Sequence, residues 1–353
     1  MPDQPDPATD PNIDERDATL DRRRFLSHVA WAGTAMVFTA SGGVLSACAS
    51  STKAAPSAGA GGGSTTAASA ASTTGALAKS TVAAAATSTT AATTDMTFVQ
   101  ISDTHTGFTG PANADVDATF TAAISQINAM AHPPAFVIHT GDLTHLSTPE
   151  QFDKAKQILS TIKAPKVFTV PGEHDSTDDA GQKYRAVFGA GSKGNGWYSF
   201  DASGVHFLGL VNTVGLTKLG LLGAEQLAFI KDDLAAVSSE TPLVVFSHIP
   251  LFAMYPDWGW ATDDALQALE MTKRFGSVTA INGHVHQTMT KTEGNVTFYA
   301  GRSTAYPLPK PGDGPAPKPV ALPADQLRGA LGIRSVNYVA AAKHVDVTDQ
   351  ILT

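Results

Sequence analysis

The chain has one cysteine, Cys48, among 353 residues, and it has no run of basic residues after residue 47. One cysteine cannot form an intramolecular disulfide, so the stability must come from a packed core, for which the chain is long enough. The net charge is −8 at pH 7. Proteins that bind nucleic acid neutralise its phosphates with clustered Lys and Arg, so a nucleic-acid polymer is not an expected partner.

The N-terminal part lacks the periodicity of a folded domain. Its first twenty residues are rich in Asp and Pro, which predicts disorder. Residues 21–27 (DRRRFLS) match a twin-arginine export signal, and glycines interrupt the apolar run 29–47 that follows. Such a run is typical of a signal-peptide core rather than of a stable spanning helix. We therefore expect export by the twin-arginine route to the periplasm or cell envelope.

The apolar run ends in Leu45-Ser46-Ala47-Cys48, which resembles a bacterial lipoprotein box and predicts a membrane tether through lipidated Cys48. The alternative is an ordinary cleavage site, because residues 47–49 also fit an A-x-A pattern. Residues 49–95 are dominated by Ala, Ser, Thr and Gly, which predicts a flexible linker. The expected organisation is a disordered N-terminus and signal over 1–48, a linker over 49–95 and one domain over 96–353.

The hydrophobic pattern of the domain predicts alternating strands and helices. Residues 96–102, 135–139 and 166–170 have the pattern of strands, and residues 113–130 and 148–162 have that of helices. This β-α-β-α-β order indicates a mainly parallel sheet covered by helices. The second half is richer in strands: its pattern predicts a hairpin over 197–211, a buried strand over 243–246 and two short strands over 337–347, with helices over 223–237 and 262–275. Together the halves predict an α/β fold of two packed sheets with helices outside.

Residue types that bind metals follow several of the predicted strands. Asp142 directly follows the second strand, at the carboxyl end where ligands bind in open α/β sheets. Further Asp, Glu and His residues occur at other strand ends: Asp103, His105, Glu173, His174, Asp175, His248, His284 and His286. In extended chain, the i, i+2 spacing of 103/105 and 284/286 would put both side chains on one face, roughly 7 Å apart.

The spacing of these residues suits a pair of metal ions. Two divalent ions about 3.5–4 Å apart need a shared carboxylate, and Asp142 is the natural choice. His and carboxylate ligands without thiolate favour Mn, Fe, Zn or Co over a structural zinc cluster.

Five blocks of these residues resemble the signature of the calcineurin-like metallophosphoesterases, in the same order. They are Asp103-x-His105, Gly141-Asp142, Gly172-Glu173-His174-Asp175, His248 and Gly283-His284-x-His286. The resemblance implies a four-layer α/β/β/α sandwich of two mixed sheets flanked by helices. It also implies two metal ions, with Mn, Fe and Zn as the leading candidates, and a bridging hydroxide that attacks phosphorus.

The same resemblance assigns a role to each residue. One ion would be held by Asp103, His105, Asp142 and His286, and the other by Asp142, Glu173, His248 and His284. His174 would protonate the leaving oxygen, and Asp175 would orient its ring. The chain departs from the family at Glu173, where Asn is usual. A glutamate there could ligate as an anion or could swing away and weaken the second site.

Three other residues could support the metal ligands or contact the substrate. His145 stands where the related purple acid phosphatases have a metal-binding Tyr, and we expect it behind the ligands or against substrate, with direct ligation as the alternative. His139 is expected to pack behind the site. Arg302 could clamp a phosphate oxygen or be an ordinary surface arginine. The aromatic segment 251–260 could equally cap the core or form a substrate wall.

We therefore expect an exported, metal-dependent phosphoesterase that acts on small phosphomonoesters or phosphodiesters. The alternative is a non-catalytic metal-binding envelope lipoprotein on the same fold, because function resides in the site rather than the fold. The presence of His174 and Asp175, which metal storage does not need, disfavours this alternative. The sequence carries no signal for an oligomeric state.

Overall fold

A computed structural model describes residues 94–353 of the chain. The expected signal segment 1–48 and the linker up to residue 93 lie outside the described residues. Within residues 94–353, no helix combines the length and the apolar character needed to cross a membrane.

Eleven strands form two mixed sheets in the described part of the chain. The first sheet has the order β11-β10-β1-β2-β3, with β1 (Met96–Ile101), β2 (Val137–His139), β3 (Val167–Thr169), β10 (Gly332–Val339) and β11 (His344–Ile351). The second has the order β4-β5-β6-β7-β9-β8, with β4 (Tyr198–Ala202), β5 (Val205–Gly209), β6 (Leu243–Phe246), β7 (Val278–Asn282), β8 (Met289–Glu293) and β9 (Val296–Ala300). Strands β1, β2 and β3 run parallel, as do β5, β6, β7 and β9.

Six α-helices accompany the sheets in residues 94–353. They are α1 (Val116–Asn128), α2 (Pro149–Leu159), α3 (Gln182–Phe188), α4 (Gly223–Ala235), α5 (Ala265–Thr272) and α6 (Ala324–Ala330). Helix α2 begins as the sequence predicts: Thr148 caps it by accepting from Gln151 N, and Pro149 fills the first turn. Helices α3 and α6, of seven residues each, were not predicted, because so short a segment shows little periodicity.

Three separate apolar cores define four layers. Phe98 packs in the core between the two sheets, whereas its neighbour Val99 packs with Phe120 of α1 on the outer face of the first sheet. Val245 packs with Ile230 of α4 on the outer face of the second sheet. This alternation follows from the two-residue repeat of a strand. The predicted fold of two mixed sheets flanked by helices is confirmed.

A buried polar network joins the two sheets beneath the loops at one end. Gln100 Nε2 donates to Thr140 Oγ1 at 3.0 Å and to the carbonyl of Asn282, at the end of β7, at 3.1 Å. Arg334 is only 2% exposed; it pairs with Asp349 and donates to the carbonyl of Ala300 at 2.8 Å. These bonds satisfy groups that would be costly to bury unpaired. They fix the loops after β1, β2 and β7 relative to one another.

Candidate metal centre

The candidate ligands lie on tight turns just after the strands. Left-handed backbone angles occur at five of them: Asp103 (φ 54°), His105 (43°), Asp142 (53°), His284 (68°) and His286 (53°). The prediction of extended chain over 103–105 and 284–286 is therefore wrong. Non-glycine residues hold such angles only where the surroundings enforce them, and such strain concentrates at functional sites.

Two glycines allow the turns to approach one another closely. A Cβ atom on Gly172 would lie 1.9 Å from Oδ1 of Asp142. A Cβ atom on Gly283 would lie 2.0 Å from Oγ of Ser102 and 2.6 Å from Oδ2 of Asp103. Any side chain at these two positions would displace a candidate ligand or its neighbour, so the glycines of two motif blocks serve to pack the turns together.

The first group of ligands is fully buried. Nε2 of His286 lies 3.2 Å from Oδ1 of Asp103 and 3.3 Å from Nε2 of His105. Nε2 of His105 lies 3.5 Å from Oδ2 of Asp142. At least one of the two facing ring nitrogens must lack a proton, and a lone pair among carboxylate oxygens is a suitable ligand for a cation.

The second group includes Glu173, whose side chain points into the site. Its Oε2 lies 2.7 Å from Nε2 of His248, and its Oε1 lies 2.9 Å from Nδ1 of His284. Nε2 of His248 is also 3.3 Å from Oδ2 of Asp142, the oxygen that faces His105 in the first group. Asp142 is thus placed between the two groups, as a shared ligand must be.

Several of these buried atoms have no hydrogen bond of good geometry: Nε2 of His248, both ring nitrogens of His284 and Oε2 of Glu173. Buried polar atoms are rarely left unsatisfied, and here they converge. The outer nitrogens, in contrast, are anchored: Nδ1 of His248 lies 2.7 Å from the carbonyl of Thr140, and Nδ1 of His286 lies 2.6 Å from that of Tyr306. Such bonds orient metal-binding imidazoles. The residues present fit a pair of metal ions.

The electrostatics also favour cation binding. Burial opposes ionisation of Asp103, but nearby His286 and His248 lower its pKa to about 2. Burial likewise opposes ionisation of Glu173, yet His284 and His248 hold its pKa well below the usual value. Burial, with neighbouring imidazoles, holds the pKa of His105 well below normal. Ionised carboxylates and a neutral imidazole are the states that ligate metals.

His248 differs, because a proton would compete with a metal for its ring. Burial disfavours the charged imidazole, but the carboxylates of Asp142 and Glu173 raise its pKa well above the usual value. A cation that satisfies the same two carboxylates would replace this proton, so metal binding here releases protons.

His174 and Asp175 have different partners from those expected. Nδ1 of His174 lies 2.7 Å from the carbonyl of His145, and its backbone N donates to Oδ1 of Asp142. The Asp175 carboxylate accepts from the backbone N of Gly172, Leu143 and Thr144 and from Oγ1 of Thr144, at 2.8–3.0 Å. The expected role of Asp175 in orienting the ring of His174 is therefore wrong: the His145 carbonyl holds that ring, and Asp175 ties the loops after β2 and β3 together.

His145 and His139 differ in their exposure and contacts. The ring of His145 stacks on that of His174, with centroids 4.9 Å apart, and both residues line a cavity. His139 is fully buried; its Nδ1 accepts from Gly141 N at 3.2 Å, and its Nε2 lies 3.1 Å from Oγ1 of Thr104. Burial lowers the pKa of His139 to about 3, so its ring is neutral and braces the turn that carries Asp142.

Arg302 does not extend a free guanidinium. Its Nη1 donates to the carbonyls of Ala330 at 3.0 Å and Gly329 at 3.4 Å, at the C-terminus of α6. A cation there satisfies helix-end carbonyls. The phosphate-clamping role considered for Arg302 is therefore corrected to a helix cap.

Two aromatic residues beside the centre were not found from the sequence. The Tyr306 ring lies 4.9 Å from those of His105 and His286, and Phe108 lies 4.6 Å from Tyr306 between centroids. Tyr306 opens a proline-rich segment whose lack of periodicity gave no signal. In the aromatic segment 251–260, Trp260 is fully buried against Val285, which favours the core-capping interpretation.

Comparison with known proteins gives a consistent result. The sequence model of the calcineurin-like phosphoesterase family matches residues 96–288. A probable cyclic nucleotide phosphodiesterase of Rhodopseudomonas palustris is 25% identical over 224 residues, covering 60% of this chain and 79% of that protein. A glycerophosphodiester phosphodiesterase of Enterobacter lignolyticus is 27% identical over 212 residues, covering 56% and 73%.

Among solved structures, a purple acid phosphatase of yellow lupin, Lupinus luteus, shares the fold with a TM-score of 0.51 at 15% identity. The match covers 73% of this chain and 53% of the lupin chain, so this chain spans about half the length of that protein.

Proposed function

Since the chain belongs to the calcineurin-like phosphoesterase family and is a metallophosphoesterase, we propose that it hydrolyses small phosphodiesters with two bound metal ions. The observation that carries the proposal is the convergence of five loops, those after β1, β2, β3, β6 and β7, with Asp142 between the two groups of candidate ligands. Glu173 is turned inward there, and His174 N donates to Asp142. The names of the two curated relatives support a diester substrate.

The residues divide between two ions that share Asp142. Asp103, His105 and His286 would complete one site, and Glu173, His248 and His284 the other. When bound, such ions polarise phosphoryl oxygens and activate a water nucleophile at neutral pH. The third carboxylate, from Glu173, makes the donor set harder and favours Mn, Fe or Zn over softer ions.

His174 would act as the general acid that protonates the leaving oxygen. A carbonyl can only accept, so Nδ1 of His174 carries the proton that it shares with His145 O. Burial disfavours a charged ring, but the carboxylates of Asp142 and Glu173 raise the pKa of His174 above its usual value. In the imidazolium form, Nε2 carries a second proton, which it can donate to the alcohol as it leaves. The bond from His174 N to Asp142 Oδ1 fixes this residue relative to the shared ligand.

The charge of the centre favours a diester over a monoester. Three carboxylates leave two divalent ions with a single net positive charge, and a bound hydroxide would cancel that charge. Such a centre suits the monoanionic diester better than a dianionic monoester. No lysine or arginine is among the described residues that line the cavity beside His174. A second phosphate charge would therefore have no partner there.

The test is hydrolysis of bis(4-nitrophenyl) phosphate and of 4-nitrophenyl phosphate by the full chain, stripped of metal and resupplied with Mn²⁺, Fe²⁺ or Zn²⁺. We expect metal-dependent turnover with the diester preferred, and its loss in His174→Ala with metal content unchanged. Stoichiometric metal binding without turnover would instead support the metal-binding lipoprotein.

We propose further that the protein is exported by the twin-arginine route and anchored through lipidated Cys48. The support is the residue pattern at 21–27 and 45–48. Fractionation of the producing cells tests this: wild type should enter the membrane fraction, and Cys48→Ala should be exported but soluble. Retention of wild type in the cytoplasm would contradict the proposal.

A further inference from the structure

A cavity of about 620 Å³ opens beside Glu173 and His174. Three loops line it, at residues 145–146 after β2, between residues 173 and 180 after β3, and between residues 213 and 216 after β5. The cavity therefore adjoins the residue that meets the leaving oxygen, and it is where an ester group of the substrate would lie.

The rim of the cavity carries an exposed apolar side chain. Leu146 is 44% exposed, one of three large apolar residues so exposed in residues 94–353. It is not on a loose segment, because Oε1 of Gln151 accepts from the backbone N of Leu146 at 2.7 Å and of His145 at 3.2 Å. Leu216, on the loop after β5, lines the same cavity. Leu146 and Leu216 thus contribute apolar side chains to the cavity lining from two separate loops, and such side chains suit an apolar ligand group.

The hydroxyl groups in the lining are already engaged with the backbone. Ser176 donates to the carbonyl of Gly172 at 3.1 Å, Thr177 to that of Glu173 at 3.1 Å and Thr213 to that of Pro171 at 3.3 Å. With these protons in use, the walls offer few hydrogen-bond donors to a ligand.

The described residues that line the cavity include no lysine or arginine to pair with a second anionic group. The nearby cation Lys183 is already paired with the carboxylate of Asp178, 2.6 Å away. A carboxylate or further phosphate on the substrate would lose water there and gain no partner, which is unfavourable.

We propose that this cavity is a subsite for an uncharged, apolar alcohol substituent of the phosphodiester. The substrate class is then a diester with at least one alkyl, aryl or similar neutral group, rather than a nucleoside polyphosphate or a polynucleotide. The inference rests on the proposed function, but it is tested by binding, without turnover.

The test titrates dimethyl, diethyl, dipropyl and dibutyl phosphate into the full chain loaded with Mn²⁺, by isothermal calorimetry. Every protein sample carries His174→Asn, so that the ligands bind without being hydrolysed. If one chain of each ligand enters the cavity, Kd should fall about fourfold per added methylene. Methyl 3-carboxypropyl phosphate, which resembles methyl butyl phosphate with a terminal carboxylate, should bind at least about tenfold more weakly than methyl butyl phosphate because its added charge has no partner.

Leu146→Ser and Leu216→Ser should each weaken the dependence of Kd on the length of the alkyl chain, while the metal content stays unchanged. The matched control is Ile351→Ser, since Ile351 is 51% exposed and lines no part of the cavity. A Kd that does not depend on chain length when both leucines are present, or a dependence that survives each leucine substitution, would overturn the subsite. If Kd falls with chain length as expected but the chain hydrolyses no diester, the result would count against the proposed function alone.

Discussion

Oε2 of Glu173 lies 2.7 Å from Nε2 of His248, and each atom is buried without a hydrogen bond of good geometry. Because the family usually has Asn at this position, the chain has placed a charged carboxylate where a neutral amide is expected. Two imidazoles, of His248 and His284, face its two oxygens. Glu173 is therefore held at the centre rather than turned to solvent, and its charge is part of the site.

Replacing Glu173 should remove one metal site. Glu173→Ala should leave one tightly bound ion and lower kcat/KM by at least about 100-fold. Mutation of a residue that only orients a metal ligand already lowers metal affinity or activity about 10–100-fold, and loss of a ligand should have a larger effect. Metal content by mass spectrometry and diester hydrolysis measure the two effects. Glu225→Ala, an exposed glutamate on α4, is the control and should match wild type. Two full equivalents of metal in Glu173→Ala would show that the side chain is not a ligand.

Asp175 should act on stability rather than on proton transfer. Asp175→Asn puts an amide N–H₂ against backbone donors and should lower the free energy of unfolding by about 3 kcal/mol. Urea denaturation measures it, with His174→Asn as the comparison, which should lose turnover and change stability by less than about 1 kcal/mol. Equal stability of the two variants would contradict the loop-tying role.

Gly172→Ala should weaken metal binding through Asp142. The new Cβ would meet Oδ1 of Asp142 at 1.9 Å, so the shared ligand must move. We expect the apparent Kd for metal to rise at least about tenfold, since misplacing a ligand has effects of that order. Competition against a chelating dye measures the affinity. Gly276→Ala, where an added Cβ meets nothing within 4 Å, should bind metal normally, and normal binding by both variants would contradict the argument.

Arg334 should contribute far more to stability than a surface ion pair. Arg334→Met leaves Asp349 and the carbonyl of Ala300 without their partner. It should lower the free energy of unfolding by about 3 kcal/mol. Lys343→Met breaks the exposed pair with Glu240 and should change stability by less than about 0.5 kcal/mol. Chemical denaturation of both variants is the measurement. Similar losses would mean that the buried network adds no stability.

The chain order of strands and helices could be predicted because hydrophobic periodicity is local. Strand β6, Leu243–Phe246, was predicted with its observed bounds, and the hairpin of β4 and β5 within about two residues. The short strands predicted near the C-terminus are eight residues each, because β10 and β11 gain length by pairing with each other along their whole extent.

What the sequence by itself determined is the identity of the candidate ligands, since an Asp or His after an apolar strand is visible without knowing what it meets. The family match confirms the phosphoesterase class, whereas the assignment of single ligands stays a prediction. Only the tertiary structure decided the partners: Asp175 bonds to residues 143–144, and Tyr306 packs on His105. Such contacts depend on how loops distant in sequence approach one another, which no local pattern encodes.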